Sequence, residues 1–289
     1  MLESRSFKSV YFIKKMTSIF YKLLNLIKKY FTKPEWEYIP EGWAKQKTDP
    51  KIKGWFSKGI LDAYISKWPS FQKAIEGTGP LGVGHENLEN TAIGRHDLNA
   101  QNTIMCFAYV LALASHQKQT LSLMDFGGGI GHYYPLAKAL LPDVKIEYSC
   151  KDVDHLAEYG KKLFPEAKFY SNDSWTNQKY DLFLASGSLQ YCEDWKKTIK
   201  QIANCTSNYV FITRIPCILQ KPSYVCVQRT YKYGYDTEYL GWVFNKNELL
   251  DFCAQSKLKL MREFLIKEAD YVHNAPEQSS GWGFLFKIS

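Results

Sequence analysis

The chain has no Cys-x-x-Cys pair. Its seven cysteines are an odd number spread from Cys106 to Cys253, a pattern that argues against a disulfide framework or a zinc site. A reducing, cytoplasmic compartment and no metal are expected. No apolar run approaches the ~20 residues of a membrane span. Lysines interrupt every apolar stretch near the start and no small-residue cleavage site follows, so no secretory signal is expected. Internal repeats and low-complexity segments are absent. Acid is scarce at one end: residues 1–33 hold Arg5, Lys8, Lys14, Lys15, Lys22, Lys28, Lys29 and Lys33 against Glu3 alone. That surplus of seven nearly exhausts the net charge of +8 and leaves about +1 for the rest. A nearly neutral body argues against a basic footprint around a site, and no nucleic-acid partner is expected.

What is present is a globular composition, 45% hydrophobic and 23% charged. Tyrosine (20) and tryptophan (8) are abundant enough to line a pocket with apolar faces and polar tips. Residues 7–31 are predicted to form a basic amphipathic helix, stopped at Lys33-Pro34. Ile13, Met16, Phe20, Leu23, Leu24, Ile27, Tyr30 and Phe31 share one face, and Lys14, Lys15, Lys22, Lys29 and Lys33 the other. Two roles stay open for it: docking on protein, or lying in the plane of an anionic membrane surface. Residues 34–52 read as a polar connector with three prolines. Gly54–Lys67 and Phe71–Ile75 read as short helices, residues 77–86 as a glycine loop, and Asn99–Ser115 as a helix with Asp97 as its N-cap. The expected organisation is a helix over 1–33, a helical region over 34–116, and an α/β domain over 117–289.

The most informative stretch opens that domain. Leu121–Met124 is a short apolar run ending at Asp125, followed by Gly127, Gly128, Gly129 and Gly131 and a helix over Tyr133–Leu141. Closely spaced glycines after a strand bring backbone N–H groups close to a ligand. The spacing is G-x-G-x-G, with His132 where a dinucleotide fold has its third glycine, and no Gly-Lys-Ser/Thr follows, so neither a dinucleotide motif nor a P-loop fits. A second strand, Val144–Lys151, ends at Asp152, about twenty residues on, where a carboxylate can accept two ribose hydroxyls. Asp154 is a rival, better suited to N-cap a helix over His155–Phe164. Further strands are expected at Ala167–Tyr170, Tyr180–Ala185 and Asn208–Arg214, with a helix over Trp195–Thr206. Strands alternating with helices indicate a Rossmann-like, mostly parallel sheet whose ligand crevice lies at the strands' carboxyl ends. Lys257–Lys267 and Gly283–Ile288 read as an antiparallel edge pair, with His273 and Glu277 between them.

Asp125-x-Gly-x-Gly-x-Gly131 after a strand resembles the first motif of class I S-adenosylmethionine methyltransferases. The resemblance implies that sheet and that cofactor. It also implies a cofactor-facing set: Asp125, Gly127, Gly128, Gly129, Gly131, Asp152, Val153, Asn172, Asp173, Ser186 and Gly187. A plain polar turn is the equal alternative for Asn172 and Asp173. Residues 184–191, 212–216, 227–229 and 241–244 are similar to a methyltransferase family encoded beside glycosyltransferases in bacterial polysaccharide loci, a likeness covering roughly 80–289. It implies an acceptor hydroxyl on a sugar or glycan intermediate; the rivals are a small aromatic metabolite, or a cofactor-binding scaffold without turnover at a membrane. No Asp/Asn-Pro-Pro-aromatic motif follows the fourth strand, as a base methyltransferase would need, and Cys217 after Pro216 reads as a structural thiol.

Methyl transfer from a sulfonium needs the acceptor held in line, and a base helps a hydroxyl. The candidate catalytic residues are His85, His96 and Tyr191; the alternative for each histidine is a solvated loop position or a helix cap. Acceptor-facing candidates are Gln190, Arg214 and, from the insert 216–244, Arg229, Tyr235, Glu238 and Trp242. Tyr231, Tyr233 and Tyr235 alternate, so an extended chain would show them on one face.

Overall fold

The computed structural model describes residues 33–79, 81, 98–267 and 271–289. The amphipathic segment 7–31, the glycine loop after Gly79, Asp97 and the candidate bases His85 and His96 lie outside the described residues. Trp36–Ser289 forms one compact unit. Among the described residues, its helices are α1 (Lys58–Glu76), α2 (Leu98–Ser115), α3 (Tyr133–Leu140), α4 (Asp154–Leu163), α5 (Trp195–Cys205) and α6 (Lys246–Gln255). The strands are β1 (Trp36–Tyr38), β2 (Thr120–Phe126), β3 (Lys145–Lys151), β4 (Lys168–Tyr170), β5 (Tyr180–Ser186) and β6 (Thr206–Ile218), then β7 (Tyr224–Arg229), β8 (Glu238–Asn245), β9 (Leu258–Lys267), β10 (Val272–His273) and β11 (Ser280–Ile288).

The expected Rossmann-like sheet is present. β4, β3, β2, β5 and β6 lie side by side, all parallel. β11 then joins β6 antiparallel, and β9 joins β11. Strand periodicity assigns the two faces. Leu182, Leu184, Phe211 and Leu285 face one core with α1, α2, α3 and α4. Their neighbours Phe183, Ala185, Val210, Ile212, Phe284 and Phe286 face the other with α5 and α6. Burial on both faces explains why these strands read as near-continuous apolar runs.

β6 is longer than expected. Its first part pairs with β5 as far as Thr213, while Cys217 and Ile218 continue beyond the end of β5 and pair with Phe244 and Asn245 of β8. The overhang thus carries a small second sheet, ordered β8-β7-β1-β10. Between the two parts β6 bulges: Trp282 lies opposite Ile215 but Phe284 opposite Ile212, and Arg214 takes φ 58°. A bulge re-aims its side chain. The small sheet roofs the carboxyl ends of the central strands.

Three expectations fail for physical reasons. The polar connector 34–52 contains β1, because Trp36, Glu37 and Tyr38 pair with Cys226–Gln228 and the first two also with Val272–His273, contacts invisible locally. The two short helices are one, α1, with Pro69 inside it; buried Tyr64, Trp68 and Phe71 hold the helix across the proline. Asp154 is the first residue of α4 and Val153 occupies the cap position, so Asp154 does not cap.

Candidate active site

The floor of the site is the turn from Asp125 to Gly131. Gly127 N donates to Lys151 O (2.8 Å), which ties the turn to the end of β3. A Cβ on Gly128 would stand 2.2 Å from Asp125 Oδ2, and one on Gly129 (φ 62°) would stand 2.9 Å from Tyr64 Cε2. Only glycine lets the backbone pass between the buried acid beneath and the ring above.

Asp125 is 1% exposed and lies under the turn rather than on the cleft wall. Its Oδ2 accepts from Tyr148 Oη (2.5 Å). Burial pushes its carboxyl up to about 7 despite that hydrogen bond. Asp152 lines the cleft, as do Gly127, Gly128, Gly129 and Val153. Asp152 Oδ2 accepts from Gly129 N and Oδ1 from Val153 N, each at 2.7 Å. Burial raises its carboxyl, and the two N–H donors counter part of the rise. Each oxygen keeps a second lone-pair direction for a ligand hydroxyl.

Beside the floor, β5 ends at Ser186, and Gly187 follows it. Tyr133 Oη and Ser186 Oγ share a hydrogen bond of 2.6 Å. Burial raises the Tyr133 phenol and the Arg214 guanidinium opposes the rise, which places Arg214 at the same corner. Ser188 Oγ donates to Phe126 O (2.6 Å) and locks the β5 loop to the glycine turn.

The roof is aromatic. The cleft, about 310 Å³, is also lined by Trp36, Trp55, Tyr64, Tyr191, Tyr233, Tyr235 and Tyr239. Trp55 stacks on Tyr239 at 4.5 Å and 5°, and Tyr191 meets both edge-on. Tyr191 Oη donates to Gln228 Oε1 (2.7 Å). Gln190 is 6% exposed, and its Oε1, on the same wall, has no hydrogen-bond partner.

Other candidates stand elsewhere. Asn172 caps the turn Asp173–Asn177, accepting from Ser174 N, and both Asn172 and Asp173 are exposed and off the cleft. Arg229, Glu238 and Trp242 also stand off it. Arg229 and Glu238 belong to a buried ion cluster: Arg229 Nη2 meets Glu37 Oε2 at 2.6 Å and its Nε meets Glu238 Oε2 at 3.5 Å. Trp242 Nε1 donates to Glu193 O. The tyrosine stripe is broken, because Tyr231–Tyr233 form a tight turn; Tyr231 is half exposed while Tyr235 is buried. Gly131 supports the turn from behind, with its missing Cβ facing Phe164 and Phe169. Cys217 is buried and its thiol is pushed up by burial, which agrees with a structural role. Glu277 accepts from Leu219 N, Gln220 N and Lys221 N and pins that turn away from the cleft, and exposed His273 is also off it.

Trp36, Trp55, Tyr64, His132, Tyr133, Gln228, Tyr239 and Lys267 were not foreseen on the cleft. Only His132 and Tyr133 carried a local signal, their place just after the glycine turn. Among the described residues no cluster of three His, Cys, Asp or Glu side chains could hold a metal, and no helix is long and apolar enough to cross a membrane.

Fold and site together define an α/β protein with an open backbone floor at the carboxyl ends of parallel strands. No family model and no curated protein matches the sequence. Among solved structures the chain is similar to magnesium protoporphyrin IX methyltransferase from Synechocystis with bound SAM. That match has 14% identity and a TM-score of 0.48 over 80% of this chain and 95% of the other. A second is a putative sarcosine dimethylglycine methyltransferase from Galdieria sulphuraria, at 12% and 0.48 over 78% and 98%. A third is the mitomycin 7-O-methyltransferase MmcR, at 12% and 0.42 over 77% and 67%.

Proposed function

We propose that this protein transfers a methyl group from S-adenosylmethionine to a hydroxyl of a sugar or glycan-biosynthesis intermediate. The observation that carries the reading is the floor: bare backbone at Gly127–Gly129 beside the Asp152 carboxylate, where adjacent parallel strands end. The residues fit that cofactor. Asp152 has lone pairs left for ribose hydroxyls, Val153 flanks it, and side chains at Gly128 or Gly129 would collide with Asp125 or Tyr64. When bound, the cofactor supplies an electrophilic methyl on a sulfonium. The chain's part is to orient the acceptor against the cluster of Trp55, Tyr191 and Tyr239, offer Gln190 and Gln228 as polar contacts, and exclude water with the roof.

Aromatic faces with amide side chains suit a sugar ring, and the Trp55–Tyr239 stack also suits a flat aromatic metabolite. Calorimetry with S-adenosylhomocysteine, then a turnover screen of nucleotide-sugars against phenols, separates these readings. No cofactor binding sinks both; binding without turnover on any acceptor leaves a scaffold. His85 and His96 remain our candidate bases, and H85A or H96A should lower kcat with little change in KM. Residues 7–31 are our candidate for contact with an anionic membrane surface. Deleting residues 1–33 should abolish flotation with anionic vesicles; unchanged flotation removes the idea.

A further inference from the structure

β4 is too short to cover β3. It pairs with Ser149–Lys151 alone, and among the described residues no strand lies beside Lys145–Tyr148 on that side. Alternate residues of a strand turn their backbone groups to opposite neighbours. Lys145 N donates to Gln119 O on the β2 side, and Asp152 N donates to Tyr170 O on the β4 side. Ile146 and Tyr148 therefore direct their N–H groups to the uncovered side, and Ile146 directs its carbonyl there as well. The uncovered stretch spans about 13 Å.

A cavity of about 750 Å³ lies along it, and no residue lines both this cavity and the cleft above the glycine turn. It reaches both faces of the sheet. Tyr134, stacked on Tyr148 at 5.0 Å, lines it from the α3 side. Gln178, whose Nε2 donates to Ser149 Oγ (3.5 Å), lines it from the other side. The cavity thus wraps the edge of β3 as a slot with two walls.

Lysine dominates the rim. Lys138, Lys145, Lys168 and Lys179 line the slot against Glu147 and Glu166. Lys145 pairs with Glu147. The other three have neutral partners, which leave the charge in place: Lys138 stands over the Tyr134 ring, Lys168 donates to Gln178 Oε1, and Lys179 donates to Asn204 O. Lysines beside an edge also guard it against stray pairing. A guard alone does not require a walled chamber with room for a short strand.

We propose that the slot is a docking site for an extended acidic segment of a partner protein, which adds to the sheet beside β3 in line with β4. Main-chain hydrogen bonds to Ile146 and Tyr148 supply affinity, and carboxylates facing the lysine rim supply selectivity. The site stands whether or not the cleft transfers methyl groups.

The test uses the full-length protein and two fluorescein-labelled octapeptides, one alternating valine with glutamate and the other valine with lysine. By fluorescence anisotropy the acidic peptide should bind about ten-fold more tightly than the basic one. At saturation the amides of Ile146 and Tyr148 should gain protection from hydrogen exchange. The combined variant K138E/K168E/K179E changes exposed side chains only, and it should hand the preference to the basic peptide. Binding of neither peptide, equal affinities, binding that leaves both amides unprotected, or a preference that survives the charge reversal overturns the docking site. So does a dimer, seen by sedimentation velocity, whose dilution exposes those two amides; the slot would then hold a second copy of this chain.

Discussion

At the scale of single residues, the floor depends on two glycines and two acids with different tasks. Gly129→Val meets Tyr64 and must hold φ 62°, a backbone penalty of about 1–2 kcal/mol. That is small against the ~5–15 kcal/mol of an ordinary domain, so the variant should fold. Its affinity for S-adenosylhomocysteine should drop at least ten-fold by calorimetry, and wild-type affinity would move the site elsewhere. Asp125 works beneath the backbone, and its role is read from pH. Its carboxyl is pushed up to about 7, whereas an unfolded aspartate titrates near 4. Between those values the folded protein keeps a proton that the unfolded chain has released. Stability therefore falls as pH rises through this window, by about 1.4 kcal/mol per unit, and levels off above it. Urea unfolding at pH 5 and at pH 7 should show the stability difference between wild type and Asp125→Asn shifting by about 2–3 kcal/mol. Parallel pH curves would refute the assignment.

At the scale of elements, α6 is fixed by its ends. Asn245 Oδ1 accepts from Glu248 N at the start, and losing such a cap costs about 1 kcal/mol. At the other end Lys257 takes φ 65° and its N–H bonds Ala254 O, a conformation glycine holds without strain. Lys257→Gly should accordingly raise Tm by about 2 °C and Asn245→Ala should lower it by a similar amount, read by calorimetry. A lower Tm for the glycine variant would refute the strain argument. The elements also show what was legible beforehand. Leu182 and Leu184 alternate with Phe183 and Ala185, and that rhythm forecasts a strand buried on both faces. The tyrosines of 231–235 have the same rhythm but sit in a turn closed by Gly234 N donating to Tyr231 O. Spacing alone does not distinguish the two. Arg229 and Glu238 looked like pocket charges because Glu37, the partner of Arg229, is 192 residues away.

At the scale of the whole molecule, the proposed acceptor chamber is assembled from distant parts. Trp55 comes from the segment before α1, Tyr191 from the loop after β5, and Tyr239 from β8. No window of sequence contains that meeting, which is why the floor was readable while Trp55 and Tyr239 were not. Floor and roof should separate in kinetics. Trp55→Ala removes the stack on Tyr239, and acceptor KM should rise about five-fold or more while cofactor Kd stays within about two-fold. Equal losses in both would mean the two halves are not independent.

The roof sheet hangs from β6 by two residue pairs, whereas the floor is built from β2, β3 and β5. On the proposed function, donor binding and acceptor choice are thereby separately evolvable. Exchanging the contiguous cassette 219–245 would replace Gln228, Tyr233, Tyr235 and Tyr239 and leave Trp55, Tyr191 and the floor in place. Divergence among proteins of this architecture should therefore collect in that cassette instead of scattering along the chain.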